Sequence, residues 1–307
     1  MLTLKAYAKV NLTLEVLGRR EDGYHEMVSA IQTIDLCDTL TLERSDAITL
    51  ECDKPELQSP DNLALRAATL LREDSGAGNG VRISLRKGIP TAAGLGGGSS
   101  DAAATLKGLN RLWGLGLSIE DLAPLAAQLG SDVAFFLHGG TAMVHGRGEF
   151  VRPLPPADLK WIVLLNPSLP VSESTASAAG GGPPQGRPNP KKTASMYGML
   201  AEANYTRGAL TRKLAARIQG GGDVPPQFLF NVFDAVAFDA YSGLESYWNA
   251  FYQLGAREIH LAGSGPSLFA PVSRKEVGTA IHLMLQHRHG WDARLVSTQQ
   301  VSRDRRA

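Results

Sequence analysis

The chain of 307 residues is 43% hydrophobic and 20% charged, close to globular averages, which excludes wholesale disorder, a coiled coil and a membrane-spanning bundle. Its 31 Lys and Arg stand against 30 Asp and Glu, a formal charge of +1 that removes the electrostatic case for nucleic acid as the main partner. Cys37 and Cys52 are too few for a disulfide framework, lack the paired spacing of a zinc site and fit a reducing cytoplasm.

No run approaches about 18 consecutive apolar residues, and the opening MLTLKAYAKVNLTLEV lacks the apolar core of a secretory leader. A cytoplasmic protein without a membrane partner is expected. The length predicts two domains, 1–157 and 158–307, divided at the proline-rich Arg152-Pro153-Leu154-Pro155-Pro156.

At the start, Leu4, Ala6, Ala8, Val10, Leu12, Leu14 and Val16 alternate without a break, the period-2 mark of a half-buried strand. The opposite face carries Lys5, Tyr7, Lys9, Asn11, Thr13 and Glu15, so Lys9 and Asn11 point either into one cleft or into solvent. Further strands are expected at 30–42, 48–52 and 81–85, with a helix at 63–72. Residues 99–109 read as an alanine-rich helix. Ser118 with Asp121 forms a capping box for a helix over 119–129, Gly130 closes it, and Ser131 caps a new helix from Asp132.

Strands follow at 141–144 and 161–166, and then a Gly/Pro-rich stretch at 176–190 that cannot pack a core reads as a flexible loop. Helices are expected at 193–203, 210–218 and 234–254, a strand-turn-strand at 258–271, a helix at 281–288 and a strand at 293–296. Residues 302–307 read as a frayed basic tail. Strands and helices mixed without regular alternation predict an α+β fold.

The strongest chemical signal is Pro90-Thr91-Ala92-Ala93-Gly94-Leu95-Gly96-Gly97-Gly98-Ser99-Ser100, which runs straight into a helix. Glycines let backbone amides approach a ligand, and a helix start offers free N–H groups and partial positive charge, so this loop is a seat for phosphate. It is neither a Walker A loop nor a dinucleotide fingerprint. Ser99 and Ser100 supply hydroxyls for phosphate or for Mg²⁺ arriving with it, and no side-chain cluster has metal-ligand spacing. Asp132 stands before the apolar Val133-Ala134-Phe135-Phe136, as a general base for an alcohol or as a plain aspartate in a helix dipole. Tyr24 and His25 could grip a base or sugar, and the turn Gly263-Ser264-Gly265 lies between two strands with a composition that suits an anion.

Taken in order, Ala6 to Leu14, Pro90 to Ala104 and Leu261 to Ala270 resemble the three motifs of the GHMP kinase superfamily. Gly23-Tyr24-His25-Glu26-Met27 and Gly130-Ser131-Asp132-Val133-Ala134-Phe135-Phe136 resemble its branch that acts on a diphosphocytidyl alcohol. The resemblance implies an N-terminal ATP-binding domain of the kind seen in the second domain of ribosomal protein S5, and a C-terminal ferredoxin-like domain. The active site would lie in the cleft between them.

It also implies ATP-dependent phosphorylation, with Mg²⁺, of the 2-hydroxyl of 4-diphosphocytidyl-2-C-methyl-D-erythritol in the non-mevalonate isoprenoid route, by a monomer or homodimer. By the same resemblance Lys9 and Asp132 are catalytic, Asn11, Tyr24 and His25 bind substrate, and Tyr197 stacks on the cytosine. Asn231 and Asp234 resemble the superfamily's Asn-x-x-acidic helix start, with Val232 where an acidic residue is usual and no role assigned. The alternatives are a kinase for mevalonate, homoserine or a sugar, and a nucleotide sensor without catalysis.

Overall fold

The computed structural model describes residues 1–169 and 190–300. The loop expected at 176–190, apart from its last residue, and the tail at 302–307 lie outside the described residues. In chain order the elements are β1 (Leu2–Arg19), β2 (His25–Ser45), β3 (Ile48–Cys52), α1 (Leu63–Ser75), β4 (Gly80–Arg86), α2 (Gly97–Trp113), α3 (Ile119–Leu129) and α4 (Val133–His138). Then come β5 (Thr141–Gly146), β6 (Phe150–Leu154), β7 (Trp161–Asn166), α5 (Pro190–Gly198), α6 (Ala209–Gln219) and β8 (Phe230–Asn231). The chain continues with α7 (Ala237–Ala240), α8 (Leu244–Gln253), β9 (His260–Leu261), β10 (Leu268–Val272), α9 (Lys275–His289) and β11 (Asp292–Ser297).

Two sheets organise the described residues. In the first, β1 pairs antiparallel with the long β2, whose early half also takes β5 and whose late half takes β4. β8 comes from the later part of the chain and adds itself parallel to β1, Leu14 beside Asn231. The second sheet, β11-β7-β10-β9, is antiparallel and carries α9. Mixed pairing, with helices on sheet faces, makes an α+β architecture.

The alternation of β1 does not mark one polar face. Register shifts between Tyr7 and Lys9 and between Asn11 and Thr13 break the ladder, and each such shift turns the following side chains over. Ala6, Leu14 and Val16 therefore join the core under α1, α2 and α3, whereas Ala8, Val10 and Leu12 join a second core with Ile162, Leu164 and Leu214. The polar residues divide in the opposite sense. Lys9 and Asn11 face α4 and the glycine-rich loop; Thr13 and Glu15 face α6, where the Glu15 carboxylate accepts from the Thr211 amide at 2.7 Å and caps that helix. All four are buried, so the solvated alternative for this side of the strand is wrong.

Four other expectations change. Gly130 ends α3 in extended rather than left-handed backbone, φ 164°, and Asp132 rather than Ser131 is the N-cap of α4. The proline-rich stretch at 152–156 is partly strand: β6 pairs only with β5, and an edge strand tolerates Pro153 because no partner needs its missing N–H. The helix expected over 234–254 is a 3₁₀ turn (Val232–Val236), α7 and α8, interrupted at Gly243, whose φ of 84° disfavours side chains.

Candidate active site

Lys9 is the centre of the site. Its ammonium is 4% exposed, donates to Asn11 Oδ1 at 2.8 Å and stands 3.5 Å from Asp132 Oδ2. Asn11 Nδ2 donates in turn to Ser29 Oγ at 2.8 Å, and Ser29 donates to the carbonyl of Thr13, so the amide of Asn11 is oriented by a buried chain of partners. Asp132 makes no capping hydrogen bond to its own helix. Its carboxylate is left for Lys9 and for the cleft.

The glycine-rich loop wraps over this pair. The Lys9 amide donates to Leu95 O at 3.0 Å, and Ala93 and Leu95 sink into the second core as anchors, while Thr91 and Ala92 form the exposed tip. Gly94 and Gly96 have φ of 84° and 73°. A Cβ on Gly94 would lie 1.7 Å from the carbonyl oxygen of Ala262, and one on Gly96 would strike Phe136 at 2.8 Å. Both glycines are thus required by close approach as well as by conformation. Gly96 is the N-cap of α2, and no side chain caps that helix start. Its first amides, on Gly97, Gly98 and Ser99, remain to receive an anion. The turn at Gly263-Ser264-Gly265 closes the back: a Cβ on Gly263 would sit 2.9 Å from Lys9 Nζ.

The rings expected to meet a base lie at the far end. His25 stacks on Tyr197 with centroids 4.8 Å apart, meets Tyr205 edge-on at 6.0 Å, and its Nε2 is 3.3 Å from the Tyr205 hydroxyl. Tyr197 also meets Phe233 edge-on. Burial, with a smaller effect from Arg19, pushes the His25 imidazolium below its usual range, so the ring is neutral at pH 7. Burial and the Asp132 carboxylate raise the Tyr197 phenol far above its usual value, which keeps it a hydroxyl. Tyr24 stands apart from this cluster: it is 56% exposed, and its ring lies under the Arg147 guanidinium at 4.8 Å.

Beneath the first turn of α2 lies a group that the sequence reading missed. Lys87 bridges two buried carboxylates, Asp38 and Asp101, the latter at 2.7 Å. Asp38 also accepts the amides of Gly88 and Ile89 at 2.7 and 2.8 Å, which fixes the entry to the loop. Burial pushes the Asp101 carboxyl up to about 8, against the opposing pull of Lys87, and its Oδ1 has no hydrogen-bond partner. The available signal was an aspartate inside the apolar run of β2 and a lysine three residues before Pro90.

Among the described residues, no group of three or more His, Cys, Asp or Glu could hold a metal ion, and no helix is long and apolar enough to cross a membrane. The GHMP kinases N terminal domain model matches residues 62–140, the span from α1 through the loop to the end of α4. A curated 4-diphosphocytidyl-2-C-methyl-D-erythritol kinase of Dehalococcoides mccartyi is 43% identical over 298 residues, 97% of this chain and 98% of the relative. The chain belongs to the 4-diphosphocytidyl-2-C-methyl-D-erythritol kinase family.

A crystal structure of a 4-(cytidine 5'-diphospho)-2C-methyl-D-erythritol kinase agrees, with TM-score 0.77 and 31% identity over 98% of this chain and 100% of the other. L. major mevalonate kinase, at TM-score 0.67 and 15% identity over 98% of this chain and 97% of the other, shares the fold alone. As a member of this kinase family the chain has the two-domain α+β GHMP fold, and small-molecule phosphotransfer is the activity its site must be read against.

Proposed function

We propose that the chain transfers the γ-phosphoryl group of ATP to the 2-hydroxyl of 4-diphosphocytidyl-2-C-methyl-D-erythritol, and that Lys9 and Asp132 carry the chemistry. The observation behind this reading is the 3.5 Å pairing of Lys9 Nζ with Asp132 Oδ2 directly under the glycine-rich loop.

The residues present fit a nucleotide held through its phosphates. At Gly94 and Gly96 the loop admits nothing larger than hydrogen, the start of α2 has no side-chain cap on its free amides, and Ser99 and Ser100 lie in the first turn of that helix. Mg²⁺ bound with ATP supplies charge neutralisation to the phosphates. The Asp132 carboxylate receives the proton of the attacking hydroxyl as its oxygen forms a bond to γ-phosphorus and the bond to the β-phosphate oxygen breaks. Lys9, oriented by Asn11, offers its positive charge to the transferring group and holds the hydroxyl near Asp132.

Tyr197 and neutral His25 supply a flat face and a ring nitrogen for the cytosine, about 0.5–1.5 kcal/mol of stacking beyond area burial. The polar shape of the Gly263 turn suits the diphosphate. The test is ATP consumption by the purified chain with the diphosphocytidyl alcohol, mevalonate or homoserine in separate reactions. Turnover with the first alone is expected; turnover with either of the others and none with the first would replace this reading.

A further inference from the structure

The turn behind Lys9 is held by residues outside the site described so far. Asn231, the last residue of β8, is 2% exposed and uses its whole amide on the backbone. Its Nδ2 donates to the carbonyls of Leu261 at 2.8 Å and Gly263 at 2.7 Å, and its Oδ1 accepts from the Phe233 amide at 3.0 Å. One turn further on, Asp234 Oδ1 accepts the Leu261 amide at 2.9 Å while Oδ2 meets His260 Nδ1 at 2.7 Å. The Tyr241 hydroxyl donates to the carbonyl of Ser264. Four backbone groups of the turn are thereby gripped from one side.

The direction of this grip matters because a trans peptide points its C=O and its N–H in opposite directions. With the Gly263 carbonyl drawn to Asn231, the N–H of Ser264 is turned away from Asn231, in a turn that borders the lysine, since a Cβ on Gly263 would sit 2.9 Å from Lys9 Nζ. Two other amides of the turn are spent, Ala262 on the Ser267 carbonyl and Gly265 on the Ala262 carbonyl, both at 2.8 Å, while Gly263, like Ser264, donates to no acceptor among the described residues. Among the described residues no acceptor meets the Ser264 amide. Asn231 is itself fixed to the sheet that bears the catalytic lysine, since it lies beside Leu14 on β1.

We propose that Asn231 and Asp234 are positioning residues for the phosphoryl transfer: they set the Gly263 turn against Lys9 and aim the Ser264 amide into the cleft as a donor to an anionic group of the substrates. His260 holds the Asp234 carboxylate in place. The proposal rests on the kinase reading above for its chemistry, but its geometric half does not. The grip exists to place an atom, so its loss should appear in turnover more than in nucleotide binding.

The experiment compares Asn231→Ala, Asp234→Ala and Asp234→Asn with the wild type in steady-state kinetics, thermal unfolding and backbone hydrogen exchange. Misplacement of this kind costs about 10- to 100-fold, so Asn231→Ala and Asp234→Ala should lose that much kcat with KM for ATP within about twofold. Asp234→Asn keeps an oxygen for the Leu261 amide and should recover most of the rate. In Asn231→Ala, exchange at 261–265 should rise at least ~10-fold while 97–110 stays unchanged.

A kcat for Asn231→Ala within about twofold of wild type, or unchanged exchange in the turn, overturns the proposal. So does an Asp234→Asn enzyme as damaged as Asp234→Ala. Where Asn231→Ala does not fold, the Asp234 pair decides by the same criteria. A wild type inactive on the diphosphocytidyl alcohol would overturn the functional reading instead, and hydrogen exchange, which needs no substrate, would then decide whether the turn is held as proposed.

Discussion

Lys9 Nζ and Asp132 Oδ2 stand 3.5 Å apart, although Lys9 is buried in the middle of a strand and Asp132 is the partly exposed N-cap of a helix. Their meeting depends on the β1 bulge after Tyr7, which turns Lys9 toward α4. Replacing Asp132 by Asn keeps the shape and removes the proton acceptor. Turnover of the diphosphocytidyl alcohol should fall about 10²- to 10⁴-fold, with ATP affinity measured by calorimetry unchanged. Near-normal phosphorylation by Asp132→Asn would remove Asp132 as the base.

Gly94→Ala tests the contact between loop and turn. The new methyl would lie 1.7 Å from the Ala262 carbonyl, at a φ that side chains avoid. The variant should lose about 2 kcal/mol or more of stability in urea unfolding and should raise KM for ATP, because the loop must move off Lys9 to admit the methyl. An unaltered unfolding midpoint would contradict the packing described.

Tyr197→Ala removes the face that stacks on His25. KM for the diphosphocytidyl substrate should rise about 3- to 10-fold while KM for ATP is unchanged. Because burial holds the imidazolium below its ordinary range, wild-type KM for that substrate should rise on acidification, with a midpoint below that of an ordinary imidazole. A midpoint for that rise above the ordinary imidazole value would exclude a neutral His25 as the contact.

Asp101 predicts a stability effect with a definite sign. A carboxyl whose folded value is raised, here to about 8 from 3.8, binds its proton in the folded state while the unfolded chain has already released it. Its contribution therefore declines as pH rises across that window and is constant above it. Asp101→Asn carries no such charge, so its melting temperature relative to wild type should increase steadily from pH 5 to pH 8. A difference that shrinks over this range would reverse the assignment.

The glycine-rich loop that leads into α2, that helix itself and the capping box at Ser118 were readable because each is a local device written in adjacent residues. The faces of β1 were not. Alternation gives the period of a strand but is silent about the partner strand, and the register shifts that separate Lys9 and Asn11 from Thr13 and Glu15 arise from the pairing with β2.

The Asp38-Lys87-Asp101 group was hidden for a related reason: Lys87 meets carboxylates 49 and 14 positions away, a juxtaposition that only the folded sheet and α2 create. Tyr24 and His25 are neighbours that read as one grip. Yet His25 is the first residue of β2 while Tyr24 still belongs to the turn before it, and only His25 reaches Tyr197.

The two-residue strand β8 has a consequence for inheritance. Through it, and through α6 seated on Thr13 and Glu15, the later half of the chain completes the sheet that bears Lys9. A gene fragment ending near residue 157 would encode the glycine-rich loop, Lys9 and Asp132, yet leave a buried carboxylate and an unpaired strand edge without their covers. Recombination among such enzymes should therefore keep both halves from one parent, and hybrids joined at that point should fail in folding before they fail in chemistry.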